Sequence, residues 1–67
     1  MSKVEFSKQA LLRAREHLET SLARVNDALR QLEGGEPLEA GKSTARALVE
    51  AKVGHDSLKL ISEKLAQ

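Results

Sequence analysis

Three groups of residues in this sequence are of types that can do chemistry. Gly41-Lys42-Ser43-Thr44 has the composition of the end of a phosphate-binding loop, in which backbone N–H groups and a lysine cradle phosphate oxygens. That loop also needs a glycine where this chain has Glu36; Gly35 stands one residue too early. No strand-forming segment precedes the run, and 67 residues cannot supply the parallel sheet that supports such a loop. The run is therefore expected to be an exposed second turn of a helix, without nucleotide.

His17 and His55 are the second group, with Glu16 and Asp56 beside them. A closed metal site on helices needs pairs such as His-x3-His or Glu-x-x-His, and neither helix offers one. His17 is expected at a helix–helix seam edge, and His55 is expected to fill space beside Gly54. Cysteine is absent, which removes thiolate ligands and thiol nucleophiles. Neither metal nor cofactor is expected.

The third group is the charged residues. Arg15 with Glu19, Arg46 with Glu50 and Lys59 with Glu63 stand four apart, the spacing of ordinary helix-surface pairs. No nucleophile–base arrangement occurs, so no enzyme is expected. Eleven basic against ten acidic residues leave a net charge of +1. The cluster Arg13, Arg15, Arg24 and Arg30 is diluted by Glu16, Glu19 and Asp27. The only aromatic, Phe6, cannot form a stacking platform. Nucleic acid is thus the weaker expectation, because its electrostatic footprint is missing.

Two long helices must position these groups. Ser2-Lys3-Val4-Glu5 reads as a capping box, Gly34 suits a left-handed helix end, and Pro37 suits the first turn of a second helix. Helices are expected over about 3–33 and 37–66, with a turn at 34–36, each about 45 Å long at 1.5 Å per residue. The longest apolar runs, Ala10-Leu11-Leu12 and Ala47-Leu48-Val49, are too short for a membrane span or a signal-peptide core. A cytoplasmic protein is expected.

Helix 1 repeats every seven residues. Val4, Leu11, Leu18, Val25 and Leu32 form one column, joined by Leu22 and Leu29, with small Ser7, Ala14, Ser21 and Ala28 three residues after the first four. Lys8 and Arg15 occupy the remaining candidate core positions of the N-terminal half. Helix 2 runs Ala40, Thr44, Ala47, Ala51, Gly54, Leu58, Ile61 and Leu65, small first and large last. Folding back at the glycines opposes the leucines of helix 1 to the small residues of helix 2, with Leu18 over Gly54. Large against small keeps such a seam dense. The fold class is all-α, an antiparallel two-helix hairpin.

A second stripe, Leu38, Ala45, Val49, Val53 and Leu60, lies nearly opposite on helix 2, and Phe6 and Leu12 fall at the margins of the helix 1 seam. One helix cannot cover both faces of its partner. So small a chain needs more apolar burial than a lone hairpin offers. A homodimeric four-helix bundle is expected, with these seven residues as the partner surface. Val49→Asp or Val53→Asp is then expected to break the assembly.

Leu32-Glu33-Gly34-Gly35-Glu36-Pro37 and Ala45-Arg46-Ala47-Leu48 resemble the small hairpin co-chaperones of type III secretion needle subunits, over about residues 31–61. The chain departs from that pattern in having no aromatic after the proline. The resemblance implies a heteromer that shields an export subunit. The broader expectation is a non-catalytic interaction module, an adaptor, regulator or assembly subunit, binding itself or another protein and no membrane.

Overall fold

A computed structural model describes residues 2–67 as two antiparallel α-helices, α1 (Lys3–Glu33) and α2 (Pro37–Ala66). Their ends follow from local chemistry. The Ser2 hydroxyl accepts the backbone N–H of Glu5 at 3.1 Å, satisfying one orphan donor of α1. Pro37 takes the first position of α2, where its missing N–H costs nothing. The helix bounds agree with the expected 3–33 and 37–66.

The turn differs in one residue from the sequence expectation. Gly34 stays at φ −83°, and Gly35 takes the left-handed conformation at φ 74°. The Glu36 N–H donates to the Gln31 carbonyl at 2.7 Å and the Gly35 N–H to the Leu32 carbonyl at 3.1 Å. This six-to-one and five-to-two pair is a Schellman closure, which places its left-handed residue one position past the cap.

The molecule is a rod of 49 × 14 × 13 Å, one helix pair thick. Its centre is a seam of small side chains: Ser7, Ala14, Ser21 and Ala28 from α1 against Ala40, Ser43, Ala47, Gly54 and Ile61 from α2. Ala14 is wholly buried. The expectation that the leucine column of α1 fills this seam is corrected here. Residues at i and i+7 share a helix face, so both the leucine and the small-residue columns qualify by period. The small column lies on the axis, which lets the two backbones approach, and the leucines project from the flank.

The expected register along the axis agrees with the contacts. Leu18 lies over Gly54, where a Cβ would come within 2.9 Å of Leu18 Cγ and Cδ2. Polar contacts cross the seam on either side of it. Ser21 Oγ donates to the Ala47 carbonyl at 2.9 Å, and His17 Nδ1 lies 2.7 Å from Glu50 Oε2. Nearer the turn, Ser43 Oγ donates to Gln31 Oε1 at 2.8 Å.

Candidate interaction surface

Consider first where the large aliphatic side chains go. Ile61 is buried, whereas all eleven leucines and all four valines are exposed. This follows from the small-residue seam: helices in close approach leave no room between them for a leucine. The displaced side chains collect on one flank, formed by Leu11, Leu18, Leu22, Val25, Leu29 and Leu32 of α1 with Leu58 and Leu65 of α2.

That flank has two different halves. Beside the N-terminal half of α1, a groove of about 780 Å³ opens between Leu11 and Leu18 on one wall and Leu58 and Leu65 on the other. Lys8, Arg15, Glu19 and Leu22 line it as well. Beside the C-terminal half, the α2 column that carries Leu58 and Leu65 continues at seven-residue spacing as Ala51 and Thr44, and small residues there leave the exposed Leu22, Val25, Leu29 and Leu32 as a ridge. Leu22 is 61% exposed and Leu29 54%. The difference is written in one heptad column, Lys8, Arg15, Leu22 and Leu29, which is basic in its first half and aliphatic in its second.

The seven residues expected to form the partner surface do not form one patch. Leu12 lines the groove just described. Phe6 and Leu60 share a smaller cleft of about 250 Å³ with Arg13 and His17. Lys64 Nζ sits 4.4 Å from the centroid of the half-buried Phe6 ring, a cation–π contact within the chain. Leu38, Ala45, Val49 and Val53 are exposed on the outer side of α2, with Leu38 at 83%. Sequence reasoning assigned the leucine flank to the seam and so missed it as a surface. The signal that separates the two was present: small residues recur every seven positions on both helices, Ser7, Ala14, Ser21 and Ala28 on one and Ala40, Ala47 and Gly54 on the other.

The residues with chemical potential are placed as follows. Gly41-Lys42-Ser43-Thr44 lies inside α2; Lys42 reaches Glu39 at 3.3 Å and the Thr44 hydroxyl donates to the Ala40 carbonyl at 2.8 Å. His17 is at the seam edge, as its spacing implied, with Glu50 opposite. His55 does not fill space beside Gly54; it is exposed and lies 3.4 Å from Asp56. Leu18 already occupies that space, which leaves the imidazole in solvent. Arg15 and Glu19 pair at 3.6 Å, while Glu50 is drawn across the seam to His17. Asp27 bridges Arg24 and Arg30, tying up two of the four clustered arginines. Among the described residues, no helix is long and apolar enough to cross a membrane, and no three His, Asp or Glu side chains gather as a metal site.

No family model matches this sequence, and no curated protein or solved structure matches it either.

Proposed function

We propose that this chain is a non-catalytic helical interaction module that acts by association, first with itself as a homodimeric four-helix bundle. The observation that carries the reading is that every leucine and valine is solvent-exposed on a hairpin whose seam holds almost nothing larger than serine. Aliphatic patches of this extent on a small chain mark contact surfaces. Apolar burial is also what a chain of this length most lacks on its own.

The test is mass by light scattering across a micromolar concentration series, beside far-ultraviolet dichroism. A dimer mass is expected; a helical monomer throughout the series overturns the reading.

A second reading, association with a different protein as an adaptor, regulator, assembly subunit or export co-chaperone, is favoured by the outer stripe of α2. Leu38, Val49, Val53 and Leu60 are exposed and lie away from the leucine flank. It is tested by purifying the tagged chain from its source cells. A stoichiometric companion lost on Val49→Asp supports this reading, and retention of the companion on that variant refutes the stripe as its site.

A further inference from the structure

We infer that the leucine flank is the docking site for a second copy of this chain, with the two α1 helices antiparallel, so that the ridge of each copy fills the groove of the other. The inference rests on the self-association reading above and specifies its surface and geometry.

Shape is the first reason. A two-fold interface must be self-complementary, because the same patch serves both sides. Here one flank carries a groove beside residues 4–22 of α1 and a ridge at residues 22–32. Turning a second copy end over end about an axis near Leu18 lays ridge into groove twice. In that arrangement Val4 meets Leu32 of the other copy, Leu11 meets Val25, and Leu18 meets its own symmetry mate. The column Val4, Leu11, Leu18, Val25 and Leu32 is thus symmetric in position about its middle residue.

Charge decides the direction. In a parallel pairing the column Lys8, Arg15, Leu22 and Leu29 would face its own copy, setting lysine on lysine and arginine on arginine. Like charges held together at a desolvating interface oppose association. Antiparallel pairing sets Leu29 against the aliphatic stem of Lys8 and Leu22 against that of Arg15, with both charged heads free at the rim.

Area gives the third reason. The chain exposes 5120 Å². A compact monomer of its mass exposes about 4,200 Å² by the usual scaling. The excess, on the order of 900 Å², is close to the roughly 800 Å² that each partner contributes to a standard-size interface.

The experiment uses the absence of cysteine, which lets single cysteines be placed at will. Nitroxide labels at Lys8→Cys, Glu19→Cys and Glu33→Cys are measured between copies by pulsed electron resonance. Antiparallel α1 helices crossing near Leu18 give the shortest separation at 19. They give about 30 Å at 8 and about 45 Å at 33 along the axis, from the rise of 1.5 Å per residue. Three equally short separations overturn the antiparallel geometry. In parallel, sedimentation equilibrium compares Leu22→Asp with Val49→Asp. Leu22→Asp is expected to weaken the dimer at least about 100-fold, since its carboxylate would be buried without a partner. Val49→Asp is expected to change it less than about 3-fold, as exposed substitutions do. The reverse pattern overturns this inference while the self-association reading stands, and a monomeric parent overturns both. Should Leu22→Asp lose helicity, Leu22→Ala takes its place, with a smaller weakening expected, and no weakening at all overturns the inference.

Discussion

Ser7 is the residue whose environment is least satisfied. Its hydroxyl is buried against α2 with no hydrogen-bond partner among the described residues. A buried unpaired hydroxyl costs free energy, and alanine fits the same small volume with better helix propensity. Ser7→Ala is expected to raise hairpin stability by about 1 kcal/mol, read from thermal or urea unfolding. Gly54 makes the opposite case. Leu18 presses onto its bare α-carbon, so Gly54→Leu must displace Leu18 and spread the helices. Overpacking of this kind costs about 1–3 kcal/mol, and the helix-propensity gain over glycine offsets about 1 of it. A lowered melting temperature is expected; an unchanged one would show that Leu18 yields freely.

At the scale of the elements, the turn and the seam differ in how plainly the sequence announces them. Ser2, Gly34-Gly35 and Pro37 each act on the backbone beside them, so the helix bounds were legible without knowing what packs where. The left-handed position slipped by one residue because two adjacent glycines are equally free to take it, and only the hydrogen bonds from Gly35 and Glu36 select the second. Gly35→Ala is therefore expected to destabilise the hairpin by about 1 kcal/mol, with Gly34→Ala affecting it less; urea midpoints of the two variants check the order. The facing of α1 was harder to read. Hydrophobicity argues for leucines inward, yet axial closeness is governed by the smallest side chains, and the two columns share one period. A leucine can be buried by a second molecule as well as by α2, so hydrophobicity alone does not tell those apart; the small-residue columns on both helices do. The Leu18–Gly54 match was legible because the axial register is fixed by the length of the turn, whichever face looks inward.

For the whole molecule, charge is the property with the clearest external consequence. The net charge is +1 over a 49 Å rod, and Asp27 engages Arg24 and Arg30. Binding through phosphates must appear at low salt and weaken steeply as salt rises. No gel shift is expected with duplex or hairpin RNA at low salt. A salt-sensitive shift there would move the chain from protein association to nucleic-acid binding.

The seam of alanine, serine and glycine has a calorimetric consequence. Heat-capacity change on unfolding tracks the apolar surface that becomes hydrated, and typical domains show about 12–15 cal/mol/K per residue. A hairpin that keeps its leucines and valines partly hydrated in the folded state, from 38% exposed at Leu18 to 83% at Leu38, has less apolar surface left to hydrate when it melts. Dilute samples should therefore melt broadly, with a heat-capacity step well below that typical range. At concentrations where two copies bury the leucine flank, the same chain should recover a sharp transition and a larger step. A step that stays constant across the series would mean that the leucines remain hydrated at every concentration.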